Sequence, residues 1–102
     1  MRVIEKEMLK AIENKTDWAK GNMGVFYDNN NTKYGARSEV YLFGNHIGDY
    51  WYDTKEFVTN IRTLIDWPSA TTKSRLRALG VNLVSHRGEL FIDGKKLEEY
   101  LL

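Results

Sequence analysis

The sequence predicts an α+β domain in which an N-terminal helix packs on an antiparallel β-meander, followed by a short basic helix and a C-terminal β-hairpin. Apolar residues at helical spacing open the chain, strand-like runs lie on both sides of Gly44-Asn45, and two apolar runs flank Ser85–Gly88. Because 102 residues suit one domain, we expect a single α+β domain over residues 1–102.

The composition excludes several classes of protein. Cysteine is absent, which excludes disulfides, thiolate metal sites and a cysteine nucleophile. No apolar run approaches the ~20 residues that span a bilayer, and the acids Glu5 and Glu7 stand where a secretory signal is apolar. Charges nearly balance, with 15 Lys and Arg against 14 Asp and Glu. We therefore expect a soluble, cytoplasmic protein with no membrane partner.

Residues 4–13 are predicted to form the first helix, because their apolar residues recur at helical spacing. The apolar side consists of Ile4, Met8, Ala11 and Ile12. The charged residues assigned to the opposite, solvated side are Glu5, Lys6, Lys10 and Glu13. Asn14 is expected to end the helix, since asparagine tolerates the left-handed conformation of helix ends, and Lys15–Asn22 reads as a loop.

A meander of about four strands is predicted to follow. Its first segments are a strand at Met23–Tyr27, a polar loop at Asp28–Gly35 and strands at Arg37–Phe43 and His46–Tyr52. Gly44-Asn45 is expected to form the two-residue hairpin turn, because both residues accept positive φ. That turn places Phe43 opposite His46.

Residues 53–64 fit two secondary structures. Thr59, Ile61 and Thr63 alternate as in a strand, whereas Ile61 and Leu64 share a face in a helix. We favour the strand, because the alternating residues are β-branched. The helical alternative would give a helix, a turn, a helix and a hairpin, which is the order in winged helix-turn-helix proteins.

The C-terminal part is predicted to contain a helix, a hairpin and a short terminal helix. Pro68 interrupts the preceding element, and the hydroxyl of Ser69 or Thr71 can cap a helix that ends at Gly80. The hairpin strands and the terminal helix are predicted at Val81–Val84, Glu89–Ile92 and Leu97–Leu101.

Two segments carry a resemblance. Val40–Ile47 reads VYLFGNHI, and Trp67–Gly80 reads WPSATTKSRLRALG. They resemble a small family of uncharacterised phage-encoded proteins, in which a VYLxGNxI hairpin precedes a WPxxTTxxRLxAL segment. The likeness covers residues 40–94, and Phe43 and Ser69 stand where the family pattern has His and Thr. The resemblance implies a phage origin and the host cell cytoplasm, favours the strand in residues 56–64, and supplies no catalytic residue.

An acid-free basic segment runs from Trp67 to Gly88 and predicts a phosphate-binding surface. The candidate nucleic-acid-binding residues are Thr72, Lys73, Arg75, Arg77 and Arg87. Lys73 and Arg77 share a helix side by i,i+4 spacing, and Arg87 lies at the hairpin tip. The alternative interpretation is a solvated helix whose late cations complement the helix dipole.

Aromatic residues are concentrated in the meander, where eight of the 13 lie between Phe26 and Tyr52. The predicted aromatic sheet face consists of Tyr41, Phe43, Tyr50 and Tyr52. Such a face can bind a host protein, stack on unpaired bases or form a homodimer contact. Alternatively, it packs beneath the N-terminal helix as core.

The sequence contains no motif typical of an enzyme. His46 and His86 lie on separate hairpins, and no paired metal-ligand motif or glycine-rich phosphate loop is present. We expect a non-enzymatic protein with no metal and no cofactor, although distant Asp, Glu and His side chains can converge in a fold. The leading hypothesis is a phage accessory protein that binds nucleic acid or a nucleic-acid complex. The alternative is an inhibitor of a host or host-defence machine.

Overall fold

The helices and strands confirm the predicted α+β class, with an N-terminal helix, an antiparallel meander and a C-terminal hairpin. The computed structural model describes residues 1–30 and 33–102. Within them, the helices are α1 (Val3–Glu13), α2 (Ile61–Asp66) and α3 (Ala70–Ala78), with a 3-10 helix at Leu97–Leu101. The strands are β1 (Trp18–Lys20), β2 (Met23–Asp28), β3 (Arg37–Leu42), β4 (Asn45–Trp51), β5 (Glu56–Thr59), β6 (Leu83–His86), β7 (Glu89–Ile92) and β8 (Lys95–Lys96).

Both sheets are antiparallel and follow chain order, β1 to β5 in the larger and β6 to β8 in the smaller. The predicted loop at Lys15–Asn22 contains β1, which pairs with β2. The predicted polar loop at Asp28–Gly35 begins one residue later than expected, and residues 31 and 32 lie outside the described part of the chain.

The segment 53–64 forms a strand and then a helix, so the preference for a strand is wrong beyond Thr59. Asn60 explains the change, because its side-chain oxygen accepts a hydrogen bond from the Thr63 amide at 3.2 Å and caps α2. This local bond outweighs the β propensity of Ile61 and Thr63. The order α2, turn, α3 and β6–β7 hairpin is therefore that of the helical alternative.

The hairpin turn between β3 and β4 is centred one residue earlier than predicted. Phe43 and Gly44 occupy it with φ of 51° and 78°, so that Tyr41, not Phe43, lies opposite His46. Positive φ at both central residues is the geometry of a hairpin turn whose twist matches the strands. The Phe43 amide donates to the Asn22 carbonyl at 2.7 Å, which offsets part of the strain of a left-handed aromatic residue.

One face of the larger sheet and the helices enclose the core. Alternate residues of β3 point inward, with Ser38, Val40 and Leu42 buried. The buried apolar residues form one cluster that draws on both sheets and every helix: Met8, Ala11, Ile12, Met23, Val25, Val40, Leu42, Ile47, Leu64, Leu76, Leu83, Ile92 and Leu97. The opposite face of β3 carries half-exposed Arg37, Glu39 and Tyr41.

A buried ion pair joins α1 to α3. The sequence predicts Glu5 on the solvated side of α1, and this is wrong, because Glu5 is 3 % exposed and accepts a hydrogen bond from Arg75 at 2.9 Å. It also accepts from the Ser74 hydroxyl at 2.6 Å and from the Arg2 amide at 3.2 Å. Glu5 lies three residues before Met8 on the inward stripe of α1, which is why the helix turns it toward the core.

Candidate functional site

The structure turns two of the five predicted nucleic-acid contacts inward. Arg75 is 4 % exposed and pairs with Glu5, and Thr72 is 3 % exposed with its hydroxyl 2.9 Å from Ser69 Oγ. Neither side chain is therefore accessible for the phosphate contact that the sequence analysis predicted for it. The helical repeat gives the reason, because residues 72, 75 and 76 share the side of α3 that Leu76 buries.

The other three predicted residues form what we call the basic patch: Lys73, Arg77 and Arg87. Lys73 lines a shallow cavity of about 320 Å³ together with Ser85 and Gly88, which places the β6–β7 hairpin beside α3. Glu89 and Glu98 line the same cavity, so one side of the patch borders on acids. Arg77 is exposed and its Nε donates to the Leu83 carbonyl at 3.0 Å. Arg87 is exposed in the hairpin turn with φ of 51°. Within residues 1–30 and 33–102, none of the three forms an ion pair.

The four predicted aromatic residues do not share a sheet face. Tyr50 and Tyr52 pack against the core, Tyr41 lies on the opposite face, and Phe43 is 70 % exposed in the turn. The prediction of one aromatic face is therefore wrong. The cause is the irregular β3–β4 pairing, which breaks the strict alternation that the prediction assumed.

Tyr52 is held in the core by its hydroxyl. It donates to the Ile12 carbonyl at 2.6 Å and lies 2.6 Å from the hydroxyl of Ser38, which is fully buried. Burial raises the pKa of Tyr52, although the Ser38 hydrogen bond opposes that rise. The ring thereby connects α1 to the sheet.

Replacing Tyr52 by phenylalanine is expected to lower the free energy of unfolding by about 1–3 kcal/mol. The change leaves the buried Ser38 hydroxyl without a hydrogen-bond partner. Urea unfolding of both proteins measures the loss. Tyr27→Phe is the matched control, because Tyr27 packs edge-to-face on Tyr52 without a hydroxyl hydrogen bond in the described chain. Equal losses in the two variants would contradict the assignment.

A different cluster lies on the outer face of the larger sheet. Donor atoms of Glu39, His46 and Asp49 all lie within 4.8 Å of one another, and we call these residues the sheet-face cluster. Glu39 and Asp49 are opposite each other in the β3–β4 register. His46 Nε2 lies 2.8 Å from Asp49 Oδ1. The sequence pattern does not reveal this convergence, because residues three apart in a regular strand point to opposite faces.

A β-bulge brings His46 and Asp49 to the same face. Tyr41 pairs with His46 and Val40 with Gly48, so Ile47 is the extra residue of β4. Gly48 has a φ of 156°, and a side chain there would meet the Phe57 ring and lie 2.5 Å from the Val58 carbonyl oxygen. Glycine is therefore required at the position that shapes the cluster.

Arg37 lies among the carboxylates of this face. Its guanidinium nitrogens are 3.7 Å from Asp28, 3.5 Å from Glu39 and 3.7 Å from Asp49. Three carboxylates against one guanidinium leave two formal negative charges beside His46. This face therefore repels phosphate and attracts cations.

Tyr41 covers the His46 side of the cluster. The centroids of the two rings are 5.3 Å apart. Burial raises the pKa of Tyr41, and the charges of Glu39 and Asp49 raise it further. The Tyr41 hydroxyl therefore stays protonated and neutral well above neutral pH.

None of the helices in the described residues is both long enough and apolar enough to cross a membrane. Comparisons with curated proteins and with solved structures give no match. A comparison with protein families matches residues 1–101 to the Kyanoviridae Gp96 protein family. Because that match covers nearly the whole chain, the protein belongs to this phage family, and its predicted phage origin is confirmed.

Proposed function

We propose that this phage accessory protein binds nucleic acid through the basic patch and catalyses no reaction on it. The observation that carries the proposal is the position of Lys73, Arg77 and Arg87 on α3 and the neighbouring hairpin tip, where none of the three forms an ion pair in the described chain. Exposed lysine and arginine side chains on one surface are typical phosphate contacts. The order α2, turn, α3 and hairpin supports the proposal, because winged helix-turn-helix proteins use a helix and a wing for such contacts.

Binding should weaken steeply with salt. Three phosphate contacts on duplex DNA predict a loss of about 40-fold in affinity between 50 and 200 mM salt. The joint change Lys73→Gln/Arg77→Gln should reduce that dependence to about 3–4-fold, because one contact remains. Fluorescence anisotropy of labelled single- and double-stranded oligonucleotides measures both values.

Lys20→Ala is the matched control, because Lys20 is an exposed cation on β1 that pairs with Glu7 at 3.0 Å. It should leave the salt dependence unchanged. Arg87→Asn tests the hairpin tip while keeping a residue that tolerates positive φ. An absence of binding at low salt, or a salt dependence that the double change leaves intact, would overturn the proposal.

A second function, binding of a host protein, is favoured by a separate observation. Phe43 and Trp67 are 70 % and 59 % exposed, and both line one groove of about 250 Å³. Exposed aromatic side chains beside a groove are typical anchors of protein contacts. Capture of a host protein that resists about 200 mM salt, is lost in Phe43→Asn/Trp67→Ala and persists in Lys73→Gln/Arg77→Gln would favour this function over the first.

A further inference from the structure

We propose that the sheet-face cluster of Glu39, His46 and Asp49 binds a divalent transition-metal ion of the zinc class. One imidazole nitrogen and two carboxylate oxygens lie within 4.8 Å of one another on the same face. This donor set suits Zn²⁺, because imidazole favours zinc over the all-oxygen ions Mg²⁺ and Ca²⁺. Three protein ligands would leave a fourth tetrahedral position for water or another ligand.

The charge around the cluster favours a cation. With Asp28 included, the carboxylates exceed the Arg37 guanidinium by two formal charges. Arg37 approaches Oε2 of Glu39 and Oδ2 of Asp49, which leaves Oδ1 of Asp49 directed at His46. The guanidinium therefore orients the two carboxylates from one side, as residues around a metal site commonly do.

The His46–Asp49 pair needs only a small adjustment to hold an ion. His46 Nε2 and Asp49 Oδ1 are 2.8 Å apart, at hydrogen-bond distance. Two ligands on a tetrahedral zinc, each at ~2.0–2.1 Å, are about 3.3 Å apart. A metal would thus replace the proton shared by these atoms after they separate by about half an ångström.

Asn60, which is hydrogen-bonded to His46, shows which ring nitrogen of His46 carries the proton. Asn60 Oδ1 accepts from the Thr63 amide at 3.2 Å, so its NH₂ group faces His46 Nδ1 at 3.2 Å. Since an NH₂ group only donates, Nδ1 is an acceptor and neutral His46 carries its proton on Nε2. Binding of the metal at Nε2 shifts that proton to Nδ1, which then requires an acceptor that Asn60 does not present.

Asn60→Asp supplies that acceptor. An aspartate can accept from the Thr63 amide with one oxygen and from His46 Nδ1 with the other, and it is an equally good helix cap. We therefore expect Asn60→Asp to tighten Zn²⁺ binding about tenfold, as outer-shell partners of metal-bound histidine typically act. Mg²⁺ affinity should change much less, which separates proton placement from simple added charge.

Calorimetric titration with Zn²⁺ and with Mg²⁺, and Co²⁺ absorption spectra, test the site directly. Glu39→Gln, His46→Gln and Asp49→Asn should each weaken Zn²⁺ binding by about tenfold or more. His86→Gln is the matched control, because His86 is the other histidine and lies exposed on β6. Urea unfolding of each variant without metal shows that the fold is retained.

Zinc binding that is lost in His46→Gln and kept in His86→Gln supports the site. No Zn²⁺ binding, or binding that survives His46→Gln, overturns it. An unchanged affinity in Asn60→Asp overturns Nε2 as the ligand atom. The site does not depend on the basic patch, so Lys73→Gln/Arg77→Gln should leave Zn²⁺ affinity unaltered whether or not nucleic acid binds.

Discussion

Replacing Glu5 by alanine is expected to lower the free energy of unfolding by about 3–5 kcal/mol. The change leaves the Arg75 guanidinium buried and uncompensated, since Arg75 is 4 % exposed and Glu5 is its ion-pair partner. It also removes the acceptor of the Ser74 hydroxyl. Urea unfolding at neutral pH measures the loss.

The joint change Glu5→Leu/Arg75→Met separates charge from packing. Apolar replacement of both partners of a buried pair is often neutral, so the double variant should recover most of the lost stability. If the double variant is as unstable as Glu5→Ala, the uncompensated charge is not the cause.

The dependence of stability on acidic pH provides an independent test of the Glu5–Arg75 ion pair. Burial by itself raises its pKa, but the hydrogen bonds from Ser74, the Arg2 amide and Arg75, together with the Arg75 charge, hold the pKa of Glu5 below its ordinary value. A lowered pKa in the folded state stabilises the protein above the unfolded value of about 4.3, and this contribution fades as pH falls through the lowered pKa. The stability difference between wild type and Glu5→Gln should therefore shrink below about pH 4. A constant difference would contradict the ion-pair assignment.

Replacing Gly48 by alanine is expected to cost about 3–4 kcal/mol in stability. The added Cβ would meet the Phe57 ring and lie 2.5 Å from the Val58 carbonyl oxygen, and β5 must move to relieve the contact. That displacement opens the pairing of β4 with β5. Thermal and urea unfolding measure the loss.

Gly44→Ala is the control for this substitution. Gly44 has a φ of 78°, and a Cβ there would meet no atom within 4 Å, so the expected cost is only backbone strain of about 1 kcal/mol. Similar losses in the two variants would mean that crowding at Gly48 is not the cause.

Helices and turns whose conformation is decided by neighbouring residues could be predicted from the sequence. Apolar spacing in residues 4–13 gives α1, and the Ser69 hydroxyl caps α3 by accepting from the Thr72 amide at 3.1 Å. Gly80, with a φ of 93°, follows the end of α3 as predicted, and β7 has its predicted bounds. The strand predicted at Val81–Val84 is wrong by two residues, because β6 spans Leu83–His86 and only Arg87 and Gly88 connect it to β7. Where a few neighbouring residues decide the backbone, a single sequence therefore predicts the element, although not every boundary.

Features that depend on distant residues were not predicted. Glu5 finds its partner 70 residues away, and no pattern within α1 reveals an acid whose charge α3 neutralises. The β-bulge adds Ile47 to β4, and the alternation of residue types does not show where strand pairing becomes irregular. The sheet-face cluster depends on this bulge, because the bulge brings His46 and Asp49 to the same face. Only the three-dimensional structure therefore shows that its three residues lie together.

The contact between Glu5 and Arg75 also limits when the chain can fold during its synthesis. The first helix leaves the ribosome long before its cationic partner, and until then its inward-facing acid has no counter-charge in the nascent polypeptide. Docking of α1 with its charge neutralised must therefore wait until Arg75 has been synthesised. An N-terminal fragment that ends before residue 75 should remain largely unfolded, even though it contains the whole larger sheet.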